Sequence, residues 1–278
     1  MRNELRDVLI AAIPEVGENI HEPTAVGPKL ALPYLILREA IQDPGESYSN
    51  FTTMYEVWPS VKRTTFAKVD DLANKVIEAL NQKRFDVEGI PHYIEYKGTT
   101  GEDTVLEEWD LITRGLKFQI FNLAWLVSIP FDPDPVSTMD KWTNQHFSDL
   151  ETDPITWQPQ NGKPALYWRI ASITDTELMP WGAWLTVKIQ GHLIALTDQE
   201  RTHWVQKVCY QLGVDKRVIM DDRSPLMFLS FNGEPSDDPF RTGQIQLHAQ
   251  FGVLGSVPDA PLLIHPKFDT IKGGEGNG

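Results

Sequence analysis

Residues 33–38 read Pro33-Tyr34-Leu35-Ile36-Leu37-Arg38, a short apolar run with a proline before it and a charge at its end. The same form returns 131 positions later as Pro164-Ala165-Leu166-Tyr167-Trp168-Arg169. A proline fits the first residue of a strand, where the ladder needs no donor. Read outward from both copies, the chain becomes one unit used twice.

In the first unit, Leu5, Val8, Leu9, Ala12 and Ile13 lie at helical spacing from Arg2 to Ile13, and Pro14 stops the helix. After the opening strand, Asp43-Pro44-Gly45 marks a turn and Phe51 to Thr65 reads as a second strand. A helix from Thr65 to Gln82 carries Val69, Leu72, Ala73, Val76, Ile77 and Leu80 on one face. Pro91 opens a strand through Tyr96, residues 98–110 read as a polar loop, and Leu111 to Leu123 closes the unit. The second unit repeats this order. A helix from Ser137 to Leu150 precedes strands at Pro164–Ile173 and Trp184–Ala195. Thr197 and Glu200 form a capping box for a helix ending at Gly213. Pro225 then opens a strand, 232–242 is an acidic loop, and Ile245 to Leu254 is the last strand.

These readings predict an α+β fold of two similar units, each a mostly antiparallel sheet with helices on one face, in the order α-β-β-α-β-β. The expected boundaries are 1–123, a proline-rich linker at 124–136, 137–254, and a flexible C-terminal tail at 255–278. Pro130, Pro133 and Pro135 make that linker stiff. Equivalent positions keep nearly one offset: Pro33/Pro164, Leu35/Leu166, Arg38/Arg169, Leu72/Trp204, Pro91/Pro225 and Leu116/Leu247.

Composition removes several function classes. The formal net charge is -14, with 20 acids against 13 bases in residues 1–123 and 19 against 12 in the rest. An acidic surface disfavours a groove that grips nucleic-acid phosphates. One cysteine, Cys209, excludes a disulfide framework. The N-terminus carries acids in its first turn and does not read as a signal peptide, and no apolar run is long enough for a membrane helix. A soluble protein made in a reducing cytoplasm is expected.

A search for chemistry finds no Walker loop, no Gly-x-Ser-x-Gly and no Gly-x-Gly-x-x-Gly. The seven histidines show no metal-ligand spacing, and Cys209 lies on the apolar face of a helix. Asp221-Asp222 and Asp237-Asp238 lie in turn-rich contexts and read as solvated loop charge. No catalytic residue, cofactor or metal is expected. The tryptophans are the excess: nine in all, seven of them beyond residue 123. Trp168 and Trp204 fit a core. Trp125, Trp157, Trp181 and Trp184 are candidates for burial by another subunit, since aromatic surface excess is an interface signal. Glu102, Asp103, Asp237 and Asp238, in loops at equivalent places of the two units, are the further interface candidates. Trp181 and Trp184 would otherwise suit a carbohydrate- or ligand-binding module.

The first unit also resembles a family. Leu5-Arg6-Asp7-Val8-Leu9-Ile10-Ala11-Ala12-Ile13-Pro14, then Pro33–Arg38, then Tyr55-Glu56-Val57-Trp58, then Val69-Asp70-Asp71-Leu72-Ala73-Asn74-Lys75-Val76-Ile77-Glu78-Ala79-Leu80 together are similar to the tail terminator (tail completion) proteins of long-tailed bacteriophages. Typical members have one such unit, so the duplication departs from the pattern. The resemblance implies a virion protein, assembled in the host cytoplasm. It would form a ring, usually a hexamer, at the head-proximal end of the tail tube. The ring would end tube polymerisation, meet the head connector or neck and let DNA pass without specific binding. A sheath or collar is a further partner for the second unit. Six copies are favoured because the units differ in tryptophan content; the alternative is three copies in a pseudo-sixfold ring. The competing readings are another head-to-tail joining or baseplate component, or the ligand-binding module.

Overall fold

The computed structural model describes residues 1–40, 52–126, 129–159 and 162–255, without the side chain of Trp125. The first unit begins with α1 (Arg2–Ala12) and the two-residue strand β1 (Ile20–His21). It continues with β2 (Tyr34–Glu39), β3 (Thr52–Lys62), α2 (Phe66–Leu80), β4 (Lys83–Val87), β5 (Ile90–Leu106) and β6 (Leu111–Asn122). The second consists of α3 (Pro135–His146), β7 (Ala165–Met179), β8 (Gly182–Ile194), α4 (Asp198–Asp215), β9 (Arg217–Ile219), β10 (Pro225–Gly233) and β11 (Ile245–Leu254).

Their sheets share one topology, β1-β2-β3-β6-β5-β4 in the first and β7-β8-β11-β10-β9 in the second. Even β1, parallel to β2, has a counterpart in the parallel bridge between Glu151 and Ala165 beside β7. The other pairings are antiparallel. Each unit has its own core between helices and one sheet face. In the first, Val69, Leu72, Val76 and Leu80 of α2 pack with Leu35, Val57, Leu116 and Phe118. In the second, Trp204, Val205, Val208 and Leu212 of α4 pack with Leu166, Ile189, Leu226 and Leu247. Each such side chain contributes about 1.5–3 kcal/mol by leaving water.

The duplication can be followed residue by residue through the ladders. Arg38 faces Glu56, which faces Lys117, which faces Gly98. Arg169 faces Gln190, which faces Gln246, which faces Asn232. Following β5 and β10 from there, each passes one bulge, and Pro91 comes to match Pro225, the pairing the sequence offset gives. The same route matches Leu116 with Ile245 and not with Leu247, because the β10–β11 connection is shorter than counting allows.

Other sequence expectations are corrected. Residues 98–106 are no loop: they extend β5 into a long hairpin arm with β6. β4 and β9 are additional strands, so each unit reads α-β-β-α-β-β-β, with the short parallel edge lying between its first helix and first long strand. Gly213 does not end its helix; α4 runs on to Asp215 and closes at Lys216 in the left-handed region. Thr197 does cap it, accepting from the Glu200 amide. The linker is occupied at both ends: Leu126 is buried, and α3 begins at Pro135 with the Asp134 carboxylate accepting from the Val136 amide. The turn at 42–50 and the tail at 256–278 lie outside the described residues.

The units are packed together. Their sheet faces away from the helices share a third core of Tyr93, Phe121, Leu123 and Leu126 with Trp157, Ala165, Tyr167, Ile194 and Phe240. This joint is built on β5–β6 of the first unit and β7–β8 of the second.

Candidate assembly surfaces

At the joint, the Phe240 ring stacks on Phe121 with centroids 3.9 Å apart and on Tyr93 at 5.4 Å. Trp157 lies 5.4 Å from Tyr93 and meets Tyr167 edge-on. Its indole N–H donates to the Lys163 carbonyl, and its own carbonyl accepts from Arg84 Nη1 at 3.1 Å. Gln82 donates across the joint to the Leu196 carbonyl. Trp157 is therefore buried by its own chain, a correction to its expected burial by another subunit: the covering surface is the back of the first sheet.

Phe240 is a core side chain of the joint that sequence reasoning does not single out, yet one predicted neighbour positions it. The Asp238 carboxylate accepts from the amides of Phe240 and Arg241, and the Asp238 carbonyl from those of Thr242 and Gly243. Asp238 thus folds the loop that delivers Phe240 to the joint. Asp237 is half-exposed beside it.

Trp181 and Trp184 lie at the far end of the second unit, at the tip of the β7–β8 hairpin. Their rings meet edge-to-face at 5.4 Å over Gly252 of β11, where a Cβ would press on both. Gly182 between them has φ +155, and a Cβ there would lie 2.0 Å from the Val253 carbonyl oxygen. Glycine alone lets β11 run beside this turn. Trp181 stays 42% exposed, an aromatic on a projecting tip. The β7 edge leading to it, residues 171–178, is exposed and carries two bulges together with Asp175 and Glu177, devices that blunt a free edge.

Glu102 and Asp103 lie on the β5–β6 arm, where the ladder shifts register between Thr100 and Thr104. Glu102 is exposed. Asp103 is taken by Arg114, whose Nε and Nη2 donate to its two oxygens at 2.6 and 2.7 Å. These bonds hold the Asp103 carboxyl below its ordinary range. Arg114 also reaches Asp70 of α2 at 2.8 Å. Asp103 braces the arm from within the chain.

The two echoed arginines occupy one ladder position and face away from the helices. Arg38 pairs with the buried Glu56 and lies over Trp58. Arg169 donates to Gln190 Oε1 and to His192 Nε2. Gln190 and His192 stand where Glu56 and Trp58 stand in the first unit.

Among the described residues no group of three or more His, Cys, Asp or Glu is placed to hold a metal ion, and no helix is long and apolar enough to cross a membrane. Cys209 packs half-buried against the second core, and burial pushes its thiol up to about 11.

No family model matches the sequence, and no curated protein does. Among solved structures, a chain described as "Virion of native gene transfer agent (GTA) particle" aligns with 44% of this chain and 93% of its own length, at 17% identity and a TM-score of 0.37.

Proposed function

We propose that this protein is a non-catalytic virion component that assembles into a ring at the head-proximal end of a phage-type tail, ending tube growth and joining the tail to the head connector. The observation that carries the reading is the joint. There the sheet face left open by the helices buries itself against another copy of the same unit, as a ring-forming unit requires. The order of elements in the first unit fits the tail-terminator resemblance in its sequence. The net charge of -14 suits a lumen that passes DNA without retaining it. The exposed outer end of β5, residues 99–106, and the Trp181 tip are the surfaces offered to tube and connector. Microscopy of particles made without this chain tests the proposal. Over-long tails are expected; tails of normal length lacking heads would make the chain a joining protein instead.

A further inference from the structure

The joint is head-to-tail. The first unit contributes β4, β5 and β6 through Arg84, Tyr93 and Phe121, while the second contributes β7 and β8 through Ala165, Tyr167 and Ile194. In a two-fold contact both units would present the same strands. A head-to-tail contact leaves each partner with one surface free of the joint, and the ladders identify both; in the first unit Tyr34 and Ser60, at the positions of Ala165 and Ile194, are buried within the chain, so only the Ile36 and Trp58 positions remain accessible there. In the second unit, Met227 stands where Tyr93 stands in the first, and Arg217, paired with Met227, stands where Arg84 stands. Ile219 occupies the matching position of Asp86. Arg217 is exposed, Ile219 is 56% exposed and Met227 37%. In the first unit, Ile36 stands where Tyr167 stands in the second, and Trp58 where His192 stands. Both are only half-buried.

We infer that these two surfaces meet between chains: the Arg217–Ile219–Met227 face of one copy docks on the Ile36–Trp58 face of the next, repeating the internal joint. The occupant is a second copy of this chain. The argument is continuity: an arginine and an apolar side chain are repeated at the positions that make the internal contact, and they lie open. The asymmetry of the units, which favours six chains on sequence alone, is accommodated because internal and external joints alternate and need not be identical. Repeating a head-to-tail contact closes a ring or runs on as a filament. Closure at three chains, six units in all, rests on the ring reading above; the pairing of the two faces does not.

Two cysteines test the pairing. In a Cys209→Ala background, Met227→Cys and Ile36→Cys on one chain, treated with a short bismaleimide, are expected to give covalent dimers and trimers; each single variant should give neither. Native mass spectrometry is expected to find three times the 31.6 kDa chain mass. Arg217→Glu should convert that species to single chains whose circular dichroism shows the fold intact, since Arg217 is exposed and lies outside both cores, and their melting temperature should fall only by what the lost association supplied. Absence of chain-to-chain product from the double variant, or an assembly indifferent to Arg217→Glu, overturns the pairing. A six-chain ring that still cross-links overturns only closure at three. The tail-length phenotype is read separately, so a cross-linking protein whose loss leaves tails normal would refute the terminator reading and leave the pairing standing.

Discussion

His192 is fully buried in the second sheet, with Nδ1 2.8 Å from the Pro239 carbonyl and Nε2 2.9 Å from Arg169 Nε. A carbonyl only accepts and the arginine N–H only donates, so Nδ1 carries the proton and Nε2 the lone pair. Burial lowers its pKa to about 4, with Arg169 adding to the effect. The folded state resists protonation there while the unfolded chain protonates near 6.5. Stability is thus complete above about pH 6.5 and falls as pH drops toward 4, by on the order of 3 kcal/mol. Melting temperature against pH should show that slope, and His192→Gln, which can still accept from Arg169 and donate to Pro239, should flatten it. Asp140 has the opposite sign. It faces a cleft of about 270 Å³ shared with Asp134 and Asp153, and its Oδ1 has no hydrogen-bond partner among the described residues. Burial, reinforced by those two carboxylates, raises its pKa to about 7. Stability is therefore lost as pH rises from about 4, where the unfolded chain ionises, and the loss is complete once pH passes 7. Asp140→Asn should therefore raise the unfolding free energy at pH 8, read from denaturant titration, by about 1–3 kcal/mol, and the gain should shrink toward pH 5.

At the scale of elements, the β5–β6 arm depends on few side chains. Beyond Ile94 the outer side of β5 has no neighbouring strand among the described residues, and 101–106 are largely exposed. Arg114, joined to Asp103 and Asp70, ties the arm to α2. Arg114→Ala should cost about 0.5–1 kcal/mol globally and far more locally. Amide exchange at residues 99–106 should accelerate while the α2 amides stay protected; equal acceleration of both would show that the arm is not a separate unit of motion. This arm also shows where sequence reading ends. Thr99-Thr100-Gly101-Glu102 has the composition of a loop because the outer half of β5 is largely exposed while its partner β6 is buried, so no alternation records it. β4 and β9 escape for a related reason: three to five residues on an edge bury too few side chains to leave a period. The strand that opens each unit is legible because a proline and an arginine bracket a run buried on the helix side. Their shared ladder position and facing partners explain why both keep the charge.

For the whole molecule, the partner of each sheet's open face is written in no local pattern. Trp157 reads as surplus aromatic surface, and only the meeting of residues 64 or more positions apart, Trp157 with Tyr93, reveals it as core. The same meeting decides how the chain unfolds. Two units with separate cores would melt separately if joined only by a proline linker; a shared core couples them. Phe240 is the centre of that coupling, 3% exposed and stacked on both Phe121 and Tyr93. Truncating such a ring costs about 3–5 kcal/mol. The cost falls on the joint, because Phe240 belongs to neither unit's own core. Calorimetry of the wild-type chain should give one transition. Phe240→Ala should split it into two, with the cores behind α2 and α4 melting independently, and a single transition merely shifted downward would mean that the helices and not the joint set the cooperativity. Asp238→Ala, which frees the loop carrying Phe240, should move the trace the same way by a smaller amount, since it removes the carboxylate that accepts hydrogen bonds from the Phe240 and Arg241 amides and leaves the ring itself intact.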